Sequence, residues 1–155
     1  MCSSDLERGY QLMYTRRAEA IQAESDPLGQ LVTLIRMGIP TDPPNEYLVM
    51  YESIATFRAN EDFLPVMAQL SLDQFNLYED ILTRGTDHGC FRPRESIASI
   101  GWNLLALEDA AGIYITIRTA PDPEIMRDRL LSYATATLDC DLREENARQR
   151  ALGIS

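Results

Sequence analysis

With 155 residues, 45% of them hydrophobic and 25% charged, the chain is long enough for one domain with a substantial core, and its composition excludes general disorder. Twenty-four acidic residues against fourteen basic ones leave a net charge of −10, which argues against a nucleic-acid groove, since phosphate binding needs concentrated positive charge. Three widely spaced cysteines fit neither a disulfide framework nor a zinc site; with no signal-peptide pattern and no apolar run near the ~20 residues that cross a bilayer, a cytoplasmic protein without membrane contact is expected.

In chain order, Ser3-Ser4-Asp5 reads as a helix cap, and Leu6, Tyr10, Met13, Tyr14, Ala18 and Ile21 recur at helical spacing, predicting a first helix over 3–24. Asp26-Pro27 reads as the cap and first position of a short second helix, with Leu28, Leu31, Val32, Ile35 and Ile39 as its stripe and Gly38 and Pro40 at its close. A stiff Thr41-Asp42-Pro43-Pro44 connection leads to a third helix from about Asn45 to Arg58, which carries Tyr47, Leu48, Met50, Tyr51, Ile54, Ala55 and Phe57. Asn60-Glu61-Asp62 punctuates. A long fourth helix then holds Phe63, Val66, Met67, Leu70, Phe75, Leu77, Tyr78, Ile81 and Leu82, with Pro65 in its first turn. Arg84 to Pro93, marked by Gly85 and Gly89, reads as a turn.

The stretch Glu95 to Arg118 is free of proline and apolar on nearly every side, so it reads as a central helix, or as one that buries one face in its own domain and another in a partner. Asn103, Glu108 and Asp109 in its middle require partners or a polar cavity. After a break at Thr119 to Asp122, a last helix runs from about Pro123 to Asp139, and a charged tail follows over 140–155, of which Asp141 to Arg150 either continues the helix or frays. No strand is evident. The expectation is one all-α domain over 1–155, an antiparallel bundle of about six helices.

No catalytic motif stands out: H-E-x-x-H, a Walker loop and G-x-S-x-G are missing, and the single histidine, His88, lies in a polar turn. The chain is therefore read as a non-enzyme that needs no metal or cofactor. The middle helices do carry a surplus of aromatic and methionine residues, including Tyr10, Tyr14, Tyr47, Met50, Tyr51, Met67, Phe75, Tyr78 and Trp102, which suit an adaptable apolar pocket as well as an ordinary core. Glu52 and the Glu108-Asp109 pair are candidate acids at the end of such a pocket, with a solvated surface carboxylate the other reading for Glu52.

Several landmarks recur in a telling order: Asp26-Pro27-Leu28; Met50-Tyr51-Glu52-Ser53-Ile54-Ala55 before Asn60-Glu61; Leu82-Thr83-Arg84-Gly85 running into Gly89-Cys90-Phe91-Arg92-Pro93; and Leu104-Leu105-Ala106-Leu107-Glu108-Asp109-Ala110. Over about Asp26 to Leu138 this resembles the C-terminal domain of the TetR family of bacterial transcriptional regulators, with Ala110 where glycine is common. The resemblance implies a linking helix over about 3–24, a core over 26–93 and dimerisation helices over about 95–139. It implies a small hydrophobic or aromatic effector among the middle helices and a homodimer through the last two. Family members carry a helix-turn-helix domain ahead of the linking helix; this chain is expected to lack it and to bind no operator by itself.

On that frame the ligand-binding candidates are Tyr10, Tyr14, Tyr47, Met50, Tyr51, Ile54, Met67, Phe75, Tyr78, Trp102, Leu105 and Asp109. The dimer candidates are Ile100, Leu107, Ala111, Tyr114, Met126, Leu130 and Tyr133. The alternative is a helical protein–protein interaction module with no small-molecule ligand.

Overall fold

Asp26 does what its place before a proline suggests: in extended conformation it accepts a hydrogen bond from the Gly29 N–H at 2.9 Å, and Pro27 opens the helix. That helix, α2 (Pro27–Gly38), is the hub of the chain, with Leu31, Val32, Leu34 and Ile35 shut off from solvent. In the computed structural model, which describes residues 3–57, 61–119 and 121–153, six further α-helices surround it. They are α1 (Ser3–Ala23), α3 (Asn45–Phe57), α4 (Leu64–Asp87), α5 (Ile97–Thr116), α6 (Pro123–Leu138) and α7 (Leu142–Ala151), with a single 3-10 turn at Glu61–Phe63. The described residues contain no strand, so the fold is all-α.

The main core lies where α2, α4, α5 and α6 meet, around Leu34, Tyr78, Leu82, Ile100, Leu104 and Leu138. A smaller cluster of Tyr10, Tyr47, Met50 and Tyr51 forms where α3 folds over α1 and the C-terminal half of α5. This second cluster frames the candidate site.

Three boundaries differ from the sequence expectation. α4 does not stop at Arg84 but continues through Gly85 to Asp87, with the His88 N–H still bonded to the Arg84 carbonyl at 3.0 Å; the helix closes where the Gly85 carbonyl receives the Cys90 and Phe91 N–H groups at 2.8 and 3.0 Å and Phe91 packs against Gly85. The turn therefore starts at His88, which is the exposed C-cap. α5 begins at Ile97, because Ser96 accepts from the Ser99 N–H at 3.1 Å and so ends the turn one residue after Glu95. The charged tail is not loose: Leu142, Asn146 and Gln149 of α7 are buried against α2 and α6, and Gln149 donates to the Gly29 carbonyl at 3.0 Å. Its inward face is largely polar, so apolar periodicity gives no sign of it. Cys2, Asn60 and the side chains of Leu6, Ala55 and Phe57 lie outside the described residues.

Candidate functional site

Glu108 lies on the inward stripe of α5, in line with Ile100, Leu104 and Ala111, and is almost fully buried. Arg17, projecting from α1 and equally buried, grips it with both terminal nitrogens, at 2.7 and 2.8 Å. Two parallel charge-assisted bonds are the strong geometry for this pair. Arg17 also donates to Gln74 of α4 at 2.6 Å and to the Leu34 carbonyl at 3.3 Å, and Tyr78 donates its phenol to Glu108. Burial alone would pull the Arg17 guanidinium down, yet Glu108, with help from Tyr78 and Tyr51, lifts it well above its ordinary range. The pair ties α1, α4 and α5 together beneath a cavity.

That cavity, about 240 Å³, lies among α1, α2, α3, α4 and α5. Tyr10, Met13, Met37, Tyr47, Met50, Tyr51, Ile54, Met67, Leu70 and Leu105 give it apolar walls, while Arg17, Ser71, Gln74, Glu108 and Asp109 supply polar groups. The volume falls somewhat below the ~300–1,000 Å³ of most organic-ligand pockets, while the mixture of many apolar walls with a few converging polar groups is typical of them. Tyr47 and Tyr51 stand with ring centroids 4.9 Å apart, tilted by 55°. Tyr47 donates to the Gly38 carbonyl at 3.0 Å, and Tyr51 to Asp109 at 3.2 Å.

Two glycines make these approaches possible. A Cβ on Gly38 would fall 2.1 Å from the Glu108 carboxyl carbon, and one on Gly112 would fall 2.0 Å from the Tyr51 ring. Only glycine fits either place without moving the neighbour.

Burial pushes the Tyr10, Tyr47 and Tyr51 phenols up, helped by Asp109 at Tyr10, by Glu108 at Tyr47 and by Tyr47 and Asp109 at Tyr51, so all three stay neutral. Asp109 is exposed on one side at the cavity's edge. Loss of water on its protein side, followed by repulsion from Glu108, raises its carboxyl to about 6. With Arg17 and Glu108 neutralising one another, Asp109 is the unmatched charge of the site.

Of the twelve sequence candidates, the structure brings Tyr10, Tyr47, Met50, Tyr51, Ile54, Met67, Leu105 and Asp109 to this cavity. It places the other four elsewhere. Tyr14 is half-buried on α1 away from the lining, and Tyr78 lies below the floor with its hydroxyl on Glu108. Phe75 is buried and stacks on Trp102, centroids 4.5 Å apart, and Trp102 is 45% exposed. Trp102 does share a helix side with Asp109, but it sits about 10 Å earlier along the axis, against Phe75 of α4 rather than at the cavity. Arg17 and Gln74 were not among the candidates, because their partner Glu108 is distant in sequence. Glu52, the other acid considered, is exposed on α3.

The dimer candidates also divide. Ile100, Ala111 and Leu130 are buried in the chain's own core and cannot reach a partner, which corrects their assignment. Leu107 and Tyr114 stand out in solvent at 46% and 48%, and Met126 and Tyr133 are half-buried at the core's edge. Leu107 and Tyr114 belong to an exposed stripe on α5 that includes Trp102, Asn103, Ala106 and Ile113 and reaches the C-cap Ile117. This stripe explains the helix that looked apolar all round: one side is core, the other is open.

No family model matches the chain, and neither the curated proteins nor the solved structures give a match. Among the described residues no group of three or more histidine, cysteine or acidic side chains is arranged to hold a metal ion, and no helix is long and apolar enough to cross a membrane.

Proposed function

We propose that the chain is the ligand-sensing and dimerisation module of a TetR-like transcriptional repressor, acting without catalysis. The observation that carries this is the tyrosine- and methionine-walled cavity, built over a buried ion pair that joins three helices. A ligand there touches α1, α3, α4 and α5 at once, so its binding energy can shift how α1 sits against the rest. In the family that the sequence resembles, the corresponding helix links to the DNA-binding domain. These residues themselves, at net charge −10, make a poor operator surface, and operator DNA should show no tight, salt-sensitive binding to this chain.

Dimerisation is supported by the open stripe on α5, where Asn103, Ala106, Leu107, Ala110, Ile113 and Tyr114 are uncharged and the exposed Asp109 lies along the Trp102 edge. Around Leu107 and Tyr114, which lie far round the helix from Asp109, such a face brings no like charges together when it meets its own copy. A thermal-shift screen of small aromatic and apolar compounds tests the sensing role: a ligand that binds only the folded state raises the melting temperature with its concentration. The same stripe favours the second reading, a helical protein–protein interaction module. That reading prevails if no compound shifts the melt and the cavity stays indifferent to Tyr51→Ala.

A further inference from the structure

Met13, Arg17, Met37 and Tyr47 line not only the chamber but also a second depression of about 580 Å³, so the two adjoin through shared walls. Arg16, Arg17, Arg36 and Arg127 all line this groove, with Asp42 as its one acid. In a chain of net charge −10 that is a local reversal of sign.

The four arginines are not equally matched. Arg17 has Glu108 and Arg127 has Glu124, each at 2.7 Å. Arg36 is 6% exposed, yet among the described residues no carboxylate pairs with it; its Nη1 donates to the Asn146 side chain at 3.1 Å. The buried Nε atoms of both Arg36 and Arg17 have no hydrogen-bond partner. A guanidinium held out of water without a counter-charge is costly, and an orphaned buried donor adds to the cost. Burial, and with it the positive charge of Arg36, draws the Arg127 guanidinium down against the pull of Glu124. A bound anion would relieve all three: it would neutralise Arg36, separate it electrically from Arg127 and supply an acceptor for the free donors. Guanidinium groups favour carboxylate and phosphate for their planar fork of donors.

We propose that this groove holds the carboxylate or phosphate head of a small amphipathic anion whose apolar part enters the adjoining chamber. The placement of the apolar part rests on the ligand-sensing reading. Met13 and Met37, flexible side chains on the shared wall, can move aside to join the two spaces.

Isothermal titration at matched ionic strength tests it, with decanoate, decyl phosphate, decanol, decylamine and inorganic phosphate, each below its aggregation limit. At least one decyl anion should bind about tenfold tighter than decanol, the worth of a charged hydrogen bond. Arg16→Gln and Arg36→Gln should remove that preference and leave decanol affinity unchanged, whereas Arg129→Gln, exposed on α6, should keep it. Arg16 is exposed, so its variant carries the test even where Arg36→Gln does not fold. Equal affinity for decanol, preference for decylamine, or a preference that survives both groove variants would overturn the anion site and leave the chamber reading standing. Inorganic phosphate binding as tightly as decyl phosphate would overturn the shared placement. Absence of binding by every decyl compound would overturn both.

Discussion

At the scale of single residues, the Arg17–Glu108 pair decides how the chamber is built. Both partners are buried, so removing one leaves an uncompensated charge in a dry interior. Glu108→Gln should therefore cost about 3–5 kcal/mol in urea denaturation, and the Arg17→Met, Glu108→Leu double variant should cost clearly less than the two single changes together. Additive losses would mean that the two groups do not act as a pair. Asp109 makes a separate prediction through pH. Its carboxyl is raised from 3.8 to about 6 in the folded chain, so the folded state holds the proton more tightly than the unfolded one. Stability from this group is full below about 4, falls as pH rises towards about 6, and stays low above. Asp109→Asn should match the wild type near pH 4 and melt higher at pH 7.5; parallel melting curves across this range would place Asp109 in ordinary water. The special status of Glu108 was legible, since it falls at helical spacing with Ile100, Leu104 and Ala111. Its partner was not, because Arg17 is 91 positions away and nothing local marks it as buried.

At the scale of helices, the contact of α3 with α5 depends on Gly112. Alanine in a helix interior is favoured over glycine by about 1 kcal/mol, but here its Cβ would strike the Tyr51 ring at 2.0 Å. Overpacking of this kind costs about 1–3 kcal/mol, so Gly112→Ala should lower stability and displace Tyr51 from Asp109. With Tyr51→Ala as background, the same change should instead raise the melting temperature. If it lowers stability equally in both backgrounds, the ring is not what it meets. Helix existence was readable wherever caps and apolar stripes agreed: Asp26-Pro27 and Asp122-Pro123 both begin helices. Reading failed where the inward residues are polar. α7 buries Asn146 and Gln149, and its docking is specified by hydrogen bonds such as Arg36 to Asn146 rather than by apolar spacing. Trp102 failed differently, since side-of-helix reasoning puts it on the same side as Asp109 but cannot show that seven residues earlier its neighbour is Phe75 of α4 rather than the cavity.

At the scale of the whole molecule, α5 separates what holds one chain together from what would join two. Ile100 is 0% exposed and Leu107 is 46% exposed, two turns apart on a single helix. Truncating a buried isoleucine removes contacts and leaves a cavity, so Ile100→Ala should cost about 2–5 kcal/mol whatever the assembly state. Leu107→Arg adds a charge to a solvent-facing position, and within one chain its effect should stay within about 0.5 kcal/mol. In a two-fold dimer the same arginine appears twice in an apolar interface, once from each copy, and its desolvation is charged against association. Sedimentation of the wild type should therefore give a dimer and that of Leu107→Arg a folded monomer with an unchanged helical spectrum. Tyr114→Asp, one further step along the stripe, should act in the same direction. A wild-type chain that stays monomeric at high micromolar concentration would assign the stripe to a different partner. The chamber, whose α5 lining includes Leu105, Glu108 and Asp109 but neither Leu107 nor Tyr114, should then bind its ligand in Leu107→Arg with the affinity seen in the wild type.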